Sequence, residues 1–175
     1  MKYIFNLLFL ICCTLTYGQD TLSLKKLSYE NNLAYSDIDD NLFTGVAQKV
    51  RKNGHVVFEE LYRDGVILEY REYYNFHSKT LAKKIHYHEE NPFRKKEQIR
   101  YYTNNKDSIT EYTFYDKNQL KTLVKRYRDT TLIYSIPYLN GKKNGQEFCF
   151  DNEGKPMITE FVNGKKVEKQ KIPLP

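Results

Sequence analysis

At 175 residues the chain has room for one domain, and a formal net charge of +6 with 29% charged residues makes it basic and strongly polar. Only 40% of residues are apolar on a count that includes 16 Tyr, and Trp is absent, which argues against a thick two-layer core and for a thin or single-layer sheet. The basic excess is spread along the chain apart from Arg94-Lys95-Lys96 and Lys125-Arg126-Tyr127-Arg128, a distribution suited to an acidic surface such as an envelope, an anionic glycan or a partner protein.

Residues 1–18 read as a secretory signal peptide. Lys2 supplies the positive start, Ile4 to Leu15 an apolar stretch broken by Asn6 and Thr14, and Thr16-Tyr17-Gly18 a small-x-small cleavage site before Gln19. The stretch is too short for a transmembrane helix, so no transmembrane span is expected in the mature chain. Lipid anchoring at Cys13 is the less favoured alternative, because Cys12 and Ile11 stand where a lipidation site wants a small residue. Cleavage after Gly18 places the mature protein in the periplasm or outside the cell and leaves Cys149 as its one thiol, so no internal disulfide is available. Between Phe148 and Phe150, Cys149 reads as a small half-buried hydrophobe rather than a nucleophile.

Residues 19–41 form an N-terminal lead-in whose apolar pattern is limited to Leu22, Leu24 and Leu27; it supplies a first strand or stays partly ordered. From Leu42 to Ile172 the punctuation is regular. Turn signals fall at Asn53-Gly54, Asp64-Gly65, about His77-Ser78, Asn91-Pro92, Asn104-Asn105, Asp116-Lys117-Asn118, Asp129, Asn140-Gly141, Asn152-Glu153-Gly154 and Asn163-Gly164. Their spacing is roughly 11 to 14 residues, one strand plus one tight turn. Two strands make a hairpin, which gives a repeat of about 23 to 25 residues.

Between the turns lie runs such as Val56 to Tyr62, Val66 to Tyr74 and Ile109 to Tyr115, rich in the residues that fit a pleated surface. No helical stripe competes with them. On Ser108 to Tyr115 one face carries Thr110, Tyr112 and Phe114 and the other Ile109, Glu111, Thr113 and Tyr115, so neither is cleanly apolar. Such strands do not make a sandwich with a dry interior; they make cross-strand ladders on a sheet open to water. The predicted fold is all-β: an elongated antiparallel meander of hairpin repeats, a single-layer twisted sheet.

Leu42-Phe43-Thr44-Gly45-Val46-Ala47, then Lys52-Asn53-Gly54, then Glu59-Glu60-Leu61-Tyr62-Arg63-Asp64-Gly65 resembles the variant MORN repeat of bacterial antitoxin-like proteins, with its Phe-Thr-Gly opening, turn Gly and Tyr-x-Asp/Asn-Gly close. Tyr138 to Gly145 and Phe161 to Lys165 are similar to the closing half. The resemblance implies an all-β repeat protein acting as an interaction module, and no catalytic residue is carried over from it.

His86, His88 and Glu90 alternate and would share one face of a strand, where two imidazoles and a carboxylate suit zinc or copper. No fourth ligand is marked, so an exposed polar face is the preferred reading and no metal site is assigned. Arg94 to Tyr102 and Lys121 to Tyr134 interleave basic and aromatic residues in a pattern that can hold phosphates and stack bases. Export argues for anionic glycan or envelope contact instead, and nucleic acid is not expected. The adjacent acids Asp39-Asp40, Glu59-Glu60 and Glu89-Glu90 would point to opposite faces of a strand, which is unsuited to a paired-carboxylate mechanism. With no Gly-x-Ser-x-Gly elbow and no phosphate loop, the expectation is a protein that is not an enzyme, with no catalytic, cofactor-binding or metal residues and no cofactor. The leading expectation is an exported repeat protein that binds another protein through a Tyr-rich sheet face or a sheet edge. The alternatives are an antitoxin or immunity-like protein neutralising one toxin, and an envelope glycan binder or hydrolase with a site assembled across repeats.

Overall fold

The computed structural model describes residues 21–76, 78–103 and 108–171. The signal segment with Cys12 and Cys13, and the turn positions at His77 and Asn104-Asn105, lie outside them. Among the described residues there is no α-helix, only one 3-10 turn at Leu24–Lys26. The strands are β1 (Thr21–Ser23), β2 (Leu27–Glu30), β3 (Leu33–Ser36), β4 (Gly45–Val50), β5 (Val56–Arg63), β6 (Val66–Tyr73), β7 (Leu81–His88), β8 (Asn91–Thr103), β9 (Ser108–Tyr115), β10 (Lys121–Arg128), β11 (Thr131–Leu139), β12 (Lys142–Lys143), β13 (Gly145–Phe150), β14 (Pro156–Val162) and β15 (Lys165–Lys171).

From β4 onward each strand pairs antiparallel with its neighbour in sequence, with the short β12 attached to β11. The result is one long meander with β1 at one edge and β15 at the other, not closed into a barrel. Turn chemistry explains the hairpins. Asp64-Gly65, Asn140-Gly141 and Asn163-Gly164 have both residues at positive φ, the two-residue turn whose twist matches paired strands.

Two stretches depart from the sequence reading. The turn expected at Asn91-Pro92 falls at Glu89-Glu90, and both Asn91 and Pro92 belong to β8. Pro92 is tolerated because β8 bulges there: Tyr87 is opposite Lys95 while His88 is opposite Asn91, leaving Pro92, Phe93 and Arg94 out of register. The lead-in is more structured than its weak periodicity suggests. β1 lies parallel to β4, and β2 and β3 form a separate hairpin.

Register sorts side chains to two faces. Glu59, Arg71, Lys84, Ile99, Tyr112, Lys125, Ser135, Phe148 and Ile158 are successive cross-strand neighbours on one side, the open face. Ala47, Glu60, Tyr70, Ile85, Gln98, Thr113, Val124 and Ile136 follow one another on the other side. Near β4 to β6 this second side is covered by β2 and β3, and we call it the hairpin face. There Leu27 and Ala34 pack with Phe43, Ala47, Tyr62 and Ile67 into the hydrophobic core, with Leu22, Leu24 and Tyr87 against it. Backbone bonds stitch the hairpin down: Ala34 N donates to Gly65 O at 2.8 Å, and Phe43 N to Ala34 O at 2.9 Å. Beyond the hairpin the sheet is one layer, and the row Ile85, Gln98, Thr113, Val124 and Ile136 holds most of its buried residues, with Ile99, Glu111 and Thr159 beside it.

Candidate functional site

The two faces carry opposite gradients of chemistry along the sheet. On the open face, β5 to β8 hold a charged network around two buried carboxylates. Glu59 accepts from Lys79 Nζ and Tyr73 Oη, both at 2.6 Å, and lies 3.9 Å from Arg71. Glu69 is paired with Arg71, with Lys84 at 3.6 Å and with His86 Nδ1 at 3.3 Å. His86 Nε2 lies 3.8 Å from Glu97, which closes the network.

From β9 to β14 the same face turns aromatic. Tyr112 stacks on Phe114 with centroids 6.5 Å apart and meets the edge of Tyr127 at 5.7 Å, while Phe148 meets Phe150 edge-on at 5.4 Å. Leu123 and Ile158 fill in between, and the charge among them is the cation Lys125. Between Glu97 and Glu160, no strand residue on this face is acidic. These side chains are half-buried by one another, and nothing in the described chain lies over them.

The hairpin face does the reverse. Once past the core it carries a ladder of charged residues: Glu72 with Lys83, then Arg100 opposite Lys83, then Glu111 accepting from Arg126 Nε at 2.6 Å. Arg126 lies over the Tyr134 ring at 5.2 Å, and Tyr134 Oη donates to Glu147 at 2.8 Å. The opposite-sign neighbours Glu72–Lys83, Arg100–Glu111 and Glu111–Arg126 favour such a row on a wet sheet, whereas Lys83 and Arg100 are like-charged neighbours. The basic and aromatic residues of 94–102 and 121–134 are therefore divided between two faces, with Arg100 and Arg126 committed to the ladder and Lys125 and Tyr127 to the aromatic patch.

His86, His88 and Glu90 do not meet. His86 belongs to the charged network, His88 is opposite Asn91 beside the β8 bulge with a buried Nε2 that has no hydrogen-bond partner, and Glu90 is in the turn, where it accepts from Lys117 Nζ at 2.8 Å. Among the described residues no group of three His, Cys, Asp or Glu side chains is arranged to hold a metal ion. Glu59 and Glu60 do take opposite faces. Burial raises the Glu59 carboxyl, but the hydrogen bonds from Lys79 and Tyr73 outweigh it and hold the group below its ordinary value. Glu60 is pushed the other way by burial.

Cys149 is half-buried opposite Met157 and lines a cleft of about 740 Å³ with Arg126, Arg128, Asp129, Tyr134 and Asp151. The cleft opens where β11 and β13 share one pair, Ser135 with Phe148. Two arginines opposed by two aspartates leave it without net charge. No helix among the described residues is long and apolar enough to cross a membrane. Comparison with protein-family models, with curated proteins and with solved structures finds no match.

Proposed function

We propose that this is an exported repeat protein of the variant MORN type, acting in the cell envelope as a non-catalytic protein-interaction module. The observation that carries the reading is the uncovered aromatic half of the open face on β9 to β14. Aromatic side chains contribute large contact area with few rotatable bonds, which is why they dominate binding hot spots. Lys125 in the middle of the patch, with no acid on the rows around it, matches a partner that presents an apolar segment carrying a carboxylate. An antitoxin or immunity role is the special case in which that partner is a single toxin.

The test compares the protein with a Lys125→Glu/Phe150→Ser variant, each immobilised and exposed to envelope and secreted fractions of its own cell, with bound proteins identified by mass spectrometry. Phe150 is 40% exposed, so the variant keeps its fold, checked by thermal unfolding. Proteins held by the parent and lost by the variant are the expected result. Equal retention by both would remove the aromatic face from the mechanism.

A further inference from the structure

On the hairpin face, where the covered part gives way to the ladder, aromatic rings gather above Glu60. The Glu60 carboxylate accepts from Tyr62 Oη at 2.7 Å, and Tyr62 Oη is 3.1 Å from Tyr29 Oη. Leu24, Tyr29, Asn32 and Phe93 line an open cleft of about 500 Å³ beside the carboxylate. Phe93 meets Tyr29 edge-on at 6.5 Å and Tyr87 at 6.4 Å. Rings from β2, β7 and β8 thus converge on one acid of β5.

Three independent features point to a cationic occupant. First, Glu60 lacks the Lys or Arg partner that most of the buried and half-buried glutamates of the sheet have. Glu59, Glu69, Glu72, Glu111 and Glu147 each have a Lys or Arg partner, whereas Glu60 has the Tyr62 hydroxyl and, among the described residues, no cation. A carboxylate removed from water without a counter-charge is costly to keep. Second, two of the lining residues, Tyr29 and Phe93, are aromatic, and ring faces attract cations even at partly exposed sites. Third, Phe93 has φ of 67°, a conformation rarely adopted by a bulky side chain, yet its ring remains 43% exposed. Burial does not repay that strain, and backbone strain of this kind is concentrated at functional sites. The three-residue bulge of β8 is the device that turns the ring toward Tyr29.

We propose that this cleft binds an alkylammonium group, with Glu60 neutralising its charge and Tyr29 and Phe93 holding its alkyl surface. The upward displacement of the Glu60 carboxyl by burial is what a missing counter-ion produces. The chemistry is shared by quaternary and primary ammonium compounds, and choice of probe separates them.

The purified protein is titrated by NMR with choline, with n-butylamine and with 3,3-dimethylbutan-1-ol, the neutral isostere of choline. Binding of at least one cation about tenfold tighter than the alcohol is expected, and the preferred cation identifies a quaternary or a primary ligand. Glu60→Gln weakens that binding by about tenfold. Phe93→Gly removes the ring while relaxing the backbone, so the fold is retained and affinity falls about fivefold. The proposal is overturned by equal binding of the alcohol, by full affinity in both variants, or by no binding of either cation up to roughly 100 mM.

Discussion

Glu59 and Glu60 are chemically identical neighbours whose carboxyls are displaced in opposite directions from the same ordinary value, 4.5. The strand pleat causes this by sending one to Lys79 and Arg71 and the other to a ring of tyrosines. The same burial pushes the Tyr87 hydroxyl up to about 12, with the Glu60 charge adding to it. A carboxyl whose folded pKa lies above its unfolded value holds its proton more tightly when folded. Ionising it therefore costs stability, a cost absent well below the ordinary value and complete once pH passes the folded pKa. Glu60→Gln keeps an acceptor for Tyr62 and removes the charge, so it stabilises the protein near pH 8 and loses that advantage as pH falls below about 4. Glu59 is the mirror case, its stability present above the unfolded value and lost as pH falls through the depressed folded pKa. Glu59→Gln therefore destabilises near pH 8 by about 1 kcal/mol, a modest figure because Lys79 is half exposed. Urea unfolding of both variants at the two pH values checks this, and shifts of the same sign at pH 8 would contradict it.

At the scale of elements, the hairpins were legible because a tight turn is a property of one or two residues. Asp64-Gly65 and Asn140-Gly141 announce positive φ directly, and the strands between them need only suit a pleated surface. The β2–β3 hairpin was not legible, since its burial comes from covering another part of the chain and leaves no period of its own. Nor was the β8 bulge, because nothing in Pro92-Phe93-Arg94 signals that three residues leave the register. The Glu60 cleft inherits both failures: its residues come from β2, β5 and the bulge, with no local pattern to unite them. Packing also separates two turn glycines that look alike in sequence. Gly54 and Gly65 have φ of 81° and 75°, but a Cβ on Gly54 meets nothing within 4 Å while one on Gly65 would lie 2.7 Å from Leu42 Cδ2 and 3.0 Å from Ala34 O. Gly54→Ala bears backbone strain alone, about 1 kcal/mol. Gly65→Ala adds a clash at the seam where the hairpin is stitched to the sheet and costs about 3 kcal/mol. Equal losses in thermal or urea unfolding would show that the seam yields freely.

Across the whole molecule, stability is unevenly supplied. The N-terminal end has a two-layer core of Leu27, Ala34, Phe43, Ala47, Tyr62 and Ile67. The C-terminal half is a single layer with few buried apolar residues, partly exposed ladders and one register pair between β11 and β13, supplemented by the Tyr134–Glu147 hydrogen bond. In a meander each strand touches mainly its neighbours, so stability is close to a sum of local terms and distant parts need not unfold together. The sheet beyond β8 should therefore open at lower urea than β3 to β6, with hydrogen exchange resolving the two regions. Leu27→Ala, which removes a core side chain, lowers the N-terminal transition by about 3 kcal/mol. Ile136 is fully buried on β11, and Ile136→Ala lowers only the C-terminal transition, by a similar amount. A single transition, coincident at every amide and shifted equally by Leu27→Ala and Ile136→Ala, would mean that the ladders couple the sheet end to end and that the single layer behaves as one cooperative unit.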